Sequence, residues 1–300
     1  MMPGSAECDG VTDARTYGDE VAVVVVTYSP GETLERFLDT LDKATERSVR
    51  VILADNGSTD GAPQRAAADR EHVHFVPTGG NLGYGSAANR GVAELGDEYG
   101  WVVVANPDLE WGPGSLDELL AAAGRWPRGG AFGPLIREPN GAVYPSARLL
   151  PSLGRGAGHA VLGKIWPDNP WSRAYRQSEA AIEERTAGWL SGSCLLLRRT
   201  AFDSVDGFDP RYFMYFEDVD LGDRLGRAGW LNVYVPSAEI MHIGGHSTSG
   251  ASARMLREHH RSAYRYLADR HPGPVWAPLR AALRAGLELR ARIETRSAGS

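Results

Sequence analysis

The sequence predicts an α/β fold, a doubly wound and mostly parallel sheet followed by a C-terminal helical extension. Three observations carry that prediction. Val21–Val26 is an unbroken apolar run dominated by valine, the pattern of a strand covered on both faces as parallel strands are. Strand-like and helix-like periods then alternate as far as Trp126, as βαβ units require. Polar clusters fall where the first, second and fourth strands end, and open parallel sheets place their sites beyond those carboxyl ends.

The first strand, Val21–Thr27, stops at Tyr28-Ser-Pro-Gly. In the helix that follows, Leu34, Phe37, Leu38 and Leu41 repeat at i, i+3, i+4 and i+7 and share one face. Val49–Ala54 reads as the second strand and runs into Asp55-Asn-Gly-Ser-Thr-Asp60. A short helical stretch, a strand at His72–Val76 and a helix over Gly85–Leu95 come next. Trp101–Ala105 is another buried strand, and Gly114–Trp126 a helix with Leu116, Leu119, Leu120 and Ala123 inward. Residues 138–185 carry Pro, Gly and polar clusters without period, which predicts a long loop or lid. Cys194–Leu197 reads as a strand, Val219–Arg227 as a helix, and Asn232–Val235 and Glu239–Ile243 as two short strands. Residues 1–19 are polar and aperiodic and are expected to be disordered, leaving 20–249 as the main domain and 250–300 as a basic helical region.

Composition removes several classes. Three hundred residues with 42% hydrophobic, 23% charged and 9% aromatic side chains are not a wholly disordered, collagen-like or coiled-coil chain. No apolar run approaches the ~20 residues of a membrane-spanning helix. The first residues lack the basic start and apolar core of a secretory signal. Two cysteines, Cys8 and Cys194, make no disulfide framework, so a cytoplasmic location is expected. The net charge of −6 is uneven. Residues 250–300 hold ten arginines, no lysine and four acids, whereas the first 249 residues hold 22 basic and 34 acidic side chains. An acidic body argues against nucleic acid as a partner.

Five clusters hold chemistry-bearing residues, and each has a plainer reading beside it. Asp55 stands at a strand end, where a carboxylate can accept from a base N–H or a ribose hydroxyl; taken alone, the motif is better accounted for by Asn-Gly turn chemistry and helix capping. Asn81-Leu-Gly-Tyr-Gly-Ser-Ala-Ala-Asn-Arg-Gly91 contains Gly-x-Gly-x-x-Ala, with Asp108 some twenty residues on, as in dinucleotide-binding dehydrogenases. That fingerprint belongs in the first βα turn, and here the first strand leads into Tyr-Ser-Pro-Gly instead. The same glycines let backbone approach a diphosphate, with Arg90 as a charge partner, or simply pack a helix against the sheet. Asn106-Pro-Asp108 offers one carboxylate to a divalent cation, or makes a type I turn. Glu217-Asp-Val-Asp220 crowds three acids, which raises carboxyl pKa values toward those of a general base; acids also suit a helix N-terminus. His242 and His246 can each supply a metal nitrogen or a structural imidazole.

Taken in order, these motifs resemble the inverting GT-A glycosyltransferases of family 2, from about Val21 to Ser249. The marks are Thr27-Tyr28 closing the first strand, Asp55–Asp60, Asn81-Leu-Gly-Tyr-Gly with Asn89-Arg-Gly91, and Asn106-Pro-Asp108. Gly188-Trp-Leu-Ser-Gly-Ser193, Gly207-Phe-Asp209, Tyr215-Phe-Glu-Asp-Val-Asp220 and His242-Ile-Gly-Gly-His246 follow. Within the family the chain is similar to actinobacterial rhamnosyltransferases that act on GlcNAc-diphospho-polyprenol in cell-wall linker synthesis. The resemblance implies a nucleotide-sugar site at Thr27, Tyr28, Asp55, Asn81, Gly83, Arg90, Asn106 and Asp108, with dTDP-rhamnose as donor. It implies Mg²⁺ or Mn²⁺ on Asp108, the last position of an Asp-x-Asp motif whose first position is Asn106 here, so that His242 gains weight as a second ligand. It assigns Asp218 as the base, and Trp189, Gly192, Glu217 and Asp220 to the acceptor side. UDP-galactofuranose and GDP-mannose stand as alternative donors. A dehydrogenase and a catalytically inactive nucleotide-sugar binder are the readings from other classes; the misplaced glycine fingerprint opposes the first, and the retained acids Asp108, Asp218 and Asp220 oppose the second.

The tail reads as a helix from Ala251, a break at His271-Pro-Gly-Pro274 and a second helix over Trp276–Thr295. In the second, Leu279, Leu283 and Leu287 recur beside Arg280 and Arg284. A basic amphipathic helix of this kind suits a peripheral place on an anionic membrane surface through residues 274–300; docking on the main domain or on a second copy in a homodimer suits it as well.

Overall fold

The computed structural model describes residues 16–151, 182–244 and 252–286. The expected βα alternation is present: β1 (Glu20–Thr27), α1 (Thr33–Ala44), β2 (Arg50–Asp55), α2 (Ala62–Asp69), β3 (Val73–Pro77), α3 (Tyr84–Val92) and β4 (Tyr99–Ala105). There follow β5 (Leu109–Trp111), α4 (Ser115–Arg125), β6 (Gly129–Arg137), β7 (Val143–Tyr144), β8 (Ala147–Arg148), β9 (Arg185–Ala187), β10 (Trp189–Leu190) and β11 (Cys194–Arg198). The chain continues with α5 (Arg199–Asp203), α6 (Glu217–Arg227), β12 (Leu231–His242), α7 (Ser252–Arg270), a 3₁₀ turn at Pro274–Trp276 and a helix α8 over 277–286.

The main sheet runs β3-β2-β1-β4-β11-β6-β12-β5, with β7 beside β6 and β9 beside β12. β1, β2, β3 and β4 are mutually parallel, as are β6 and β12; β11 lies antiparallel between β4 and β6. Both faces of β1 are buried, as its sequence requires. Val21, Val23 and Val25 join the core under α1 and α4, while Ala22, Val24 and Val26 join the core under α3 and α5. Gly91 permits the close seating of α3, since a Cβ there would lie 2.5 Å from the Val24 side chain.

Several expectations change. The ordered chain starts before residue 20: Tyr17 donates to the Asp203 carboxylate under the Arg199 guanidinium, and the Gly18 amide donates to Asp97 O at 2.8 Å. Residues 1–15 lie outside the described residues. β6 was hidden by its own composition, because Gly129, Gly130, Gly133 and Pro134 suggest a loop. Pro134 sits in mid-sheet where the register with β12 shifts between Val235 and Glu239, and such an irregularity is where a strand tolerates proline. The two short strands expected at 232–243 are therefore one bulged strand, β12. Of the lid expected at 138–185, residues 138–151 and 182–185 carry β7, β8 and the start of β9, and the rest lies outside the described residues. The tail break occurs as expected, and the second helix is described only to residue 286. No helix among the described residues is long and apolar enough to cross a membrane.

α7 shares the core of the main domain. Tyr266 is buried with Tyr212 and Val219 in a cluster that Trp189, Phe216 and Leu267 complete.

Candidate active site

The parallel strands β1, β2 and β4 end together, and the antiparallel β11 begins at that same edge, where Cys194 pairs with Ala105. The Asn106 amide donates to Ser193 O at 2.9 Å, so the turn after β4 is tied to the turn before β11. This edge carries the candidate site.

On the β1–β2 side the two turns are locked together. Asp55 is buried and accepts from Thr27 Oγ1 at 2.8 Å, from the Ser58 hydroxyl, and from the Gly57 and Ser58 amides at 3.2 and 3.1 Å. Those four bonds occupy the roughly four acceptor positions of a carboxylate. Asp55 therefore shapes the turn, and its side chain is not turned outward toward a base or ribose. Tyr28, half exposed, is the outward-facing neighbour. Asn56 extends the lock, accepting from the Leu82 amide and donating to Gly83 O. Asn81 accepts from the Gly83 amide at 3.1 Å. Gly83 is left-handed (φ 87°), and a Cβ there would lie 2.1 Å from Phe213 O.

Asp108 and His242 meet. The Ile243 amide donates to Asp108 O, and His242 Nε2 stands 3.1 Å from Asp108 Oδ1. Two cis ligands of an octahedral ion with bonds of ~2.1 Å stand ~3.0 Å apart, so this carboxylate–imidazole pair fits one divalent cation. No third His, Cys, Asp or Glu joins them among the described residues, which leaves the other positions to phosphate oxygens and water. His246 lies outside the described residues.

The acids of α6 do not act as one group. Successive helix positions turn by about 100°, so residues two apart face nearly opposite ways. Asp218 Oδ2 accepts from the Gly192 amide at 2.9 Å and Oδ1 from the Val219 amide at 2.8 Å. Burial raises its pKa above the usual carboxylate range, and these amides oppose the rise. Glu217 is buried, its Oε2 has no hydrogen-bond partner, and burial with the Asp218 charge pushes its pKa up to about 8. Of the two, Asp218 is the one with both oxygens on amides of other residues. Glu217 is held inside rather than offered to an acceptor. Asp220 points away and pairs with Arg224 at 2.7 Å, while Arg224 reaches Val205 O and Gly207 O; this is a structural clamp.

Arg90 is not brought to the site either. It lies in the last turn of α3, at the other end of the helix from Gly83, and pairs with Glu94 at 3.0 Å. Gly192 borders Asp218, and Trp189 lies one helical turn along from it. A Cβ on Gly192 would lie 3.1 Å from Asp218 Cβ, and Trp189 packs against Gly222 on α6.

Three residues escaped sequence reasoning. Tyr84 donates its hydroxyl to Gly192 O, which places it between the Gly83 turn and the Asp218 support; a lone large residue among glycines was its signal. Arg148 lies over the Tyr144 and Trp189 rings, 5.5 and 5.7 Å from their centroids, and its charge favours ionised Asp218. No periodicity marks it. His259 of α7 packs on Tyr215 and Phe216, the two residues before Glu217.

The profile of Glycosyl transferase family 2 matches residues 22–206. The chain belongs to this family. The transferase is 61% identical over 288 residues, 93% of its own length and 94% of its relative's, to the N-acetylglucosaminyl-diphospho-decaprenol L-rhamnosyltransferase of Mycobacterium tuberculosis. Among solved structures it resembles the mannosyltransferase PcManGT of Pyrobaculum calidifontis in complex with GDP-Man and Mn²⁺, with TM-score 0.57 and 17% identity over 95% of this chain and 77% of that one. It also resembles GalNAc-T7 with UDP, GalNAc and Mn²⁺, with TM-score 0.58 and 15% identity over 90% of this chain and 54% of that one. The fold is the GT-A glycosyltransferase fold, and the glycine fingerprint after β3 is a helix start within it rather than a dehydrogenase motif.

Proposed function

We propose that the transferase moves L-rhamnose from dTDP-L-rhamnose to a hydroxyl of a GlcNAc-diphospho-polyprenol acceptor, with inversion at the anomeric carbon. The carrying observation is the 61% identity that runs through 93% of the chain. Asp218 takes the proton of the acceptor hydroxyl as that oxygen attacks the anomeric carbon from the side opposite the leaving group. The Gly192 and Val219 amides orient the carboxylate, and one base suffices because no covalent enzyme intermediate forms. Tyr28 and the turn organised by Asp55 receive the nucleoside. Asp108 and His242 would hold the divalent cation, Mg²⁺ or Mn²⁺. That ion, when bound, neutralises charge on the departing nucleoside diphosphate.

The test is a panel of dTDP-, UDP- and GDP-sugars with a GlcNAc-diphospho-polyprenyl acceptor and either metal. Transfer from dTDP-rhamnose alone supports the assignment, and preferential use of UDP-galactofuranose or GDP-mannose overturns it. Asp108→Ala should weaken metal-dependent donor binding at least tenfold; an unchanged metal titration removes Asp108 from that role.

We also infer a peripheral place on an anionic membrane surface through residues 274–300. Val275 and Trp276 are exposed and α8 carries few buried side chains, which suits a surface where a lipid-linked acceptor resides. Arg280 is an exception to the expected lipid-facing row. Its guanidinium donates to His271 O and Gly273 O and so closes the turn after α7.

A further inference from the structure

A cavity of about 220 Å³ opens between α7 and the two turns that carry Leu82 and Phe213, and three of its walls bear arginines, Arg211, Arg261 and Arg265. They stand out on a protein whose first 249 residues are strongly acidic. Arg211 is neutralised by Asp209 and Asp269, at 2.6 and 2.7 Å. Arg265 donates to the Arg211 carbonyl and lies over the Tyr212 ring, both uncharged partners. Arg261 is 71% exposed, and its ion pair with Glu258, on the same cavity wall, is long at 3.9 Å, so a diphosphate with two charges can displace it. Arg261 and Arg265 are four apart on α7 and present two guanidinium forks to one space, the geometry that suits the paired oxygens of phosphate groups. Leu82, 45% exposed, and Phe213 add an apolar wall.

The cavity adjoins the reacting centre through one residue. The Tyr84 amide donates to Phe213 O at the cavity wall, and its hydroxyl reaches Gly192 O beside Asp218. Tyr84 and Gly192 are thus the two residues that link the cavity wall to Asp218, the interval that the acceptor sugar would span. We propose that this cavity binds the diphosphate of the lipid-linked acceptor, with Arg261 and Arg265 on the phosphate oxygens and Leu82 and Phe213 against the first part of the prenyl chain. The proposal rests on the acceptor class given above and adds where its charged link is held. The donor diphosphate belongs with Asp108 and His242, neither of which lines this cavity.

The experiment compares the full-length enzyme with Arg261→Glu and Arg261→Lys, because the exposed Arg261 can be changed without disturbing the core. In the Glu variant, KM for a GlcNAc-diphospho-prenyl acceptor should rise at least tenfold, with kcat and donor KM within twofold of the parent and partial recovery in the Lys variant. Titration with geranyl diphosphate and with inorganic diphosphate in EDTA reads the site without turnover, and both affinities should fall in the Glu variant. Equal geranyl diphosphate affinity in parent and variant overturns the proposal, as does a change confined to donor KM. Loss of binding to phosphatidylglycerol vesicles with geranyl diphosphate affinity intact also overturns it, in favour of a membrane-headgroup contact. If the parent fails to glycosylate the acceptor yet loses geranyl diphosphate binding on Arg261→Glu, the site stands and the acceptor assignment falls.

Discussion

Asp218 and Glu217 are neighbours in sequence with opposite fates, because one carboxylate has each oxygen on the amide of another residue while the other keeps Oε2 buried without a partner. Asp218→Asn keeps the shape and removes the proton acceptor. It should lower kcat by about 10²–10⁴ with donor affinity unchanged, as measured by steady-state kinetics and donor titration. Because burial raises the Asp218 pKa, the acid limb of the kcat profile should fall above the ordinary aspartate value of 3.8. Glu217 makes a stability prediction. Its pKa rises from 4.5 to about 8 on folding, so the folded chain holds a proton that the unfolded chain releases. Its contribution is fully present below pH 4.5 and is lost as pH rises toward 8. Glu217→Gln should flatten the melting temperature against pH across that window, and an unchanged slope would show that Glu217 does not carry it. The sequence revealed that acids crowd here; it did not reveal that only Asp218 is held at the site edge, since that follows from the helical turn between positions 218 and 220 and from Gly192, which is 26 residues away.

Helix α7 is the element whose role the sequence did not disclose. Tyr215 and Phe216 both adopt left-handed backbone (φ 66°), which costs about 1–2 kcal/mol for each side-chain-bearing residue. α7 holds that conformation in place. His259 packs on both rings, Tyr266 packs on Phe216, Ser262 donates to Met214 O at 2.9 Å, and Arg270 pairs with Asp223 at 2.9 Å. Tyr266→Ala should cost about 3 kcal/mol in denaturant unfolding through loss of a buried aromatic. Ser262→Ala, which removes one hydrogen bond, should cost about 1 kcal/mol and lower kcat while leaving donor KM unchanged. An unaltered kcat in both variants would show that the loop keeps its shape without α7. The β1-to-α4 half was legible because period and burial agree there. β6 was not, since its glycines and Pro134 are tolerated only through the partner strand's bulge, and α7 was read as a tail because its contacts lie as far as 58 residues back in the chain.

At the scale of the whole molecule, the uneven charge resolves into separate uses. Part of the acidic excess is turned inward at Asp55, Glu217 and Asp223, and some of the basic excess on α7 is spent on clamps such as Arg270–Asp223. What remains exposed around Val275, Trp276 and α8 should carry the membrane contact. The full chain should float with phosphatidylglycerol liposomes, and a chain ending at residue 273 should not; equal flotation of the two would remove residues 274–300 from that role. The antiparallel strand β11 has a further consequence, for the order in which the molecule can be made. It is the strip between β4 and β6, yet it leaves the ribosome more than fifty residues after β6 ends. At synthesis rates of ~5–20 residues per second, β6 waits roughly 3–11 seconds, and β4 roughly 4–18 seconds, with an open edge before their shared neighbour exists. The growing chain is therefore most exposed to mispairing while residues 138–193 are being added.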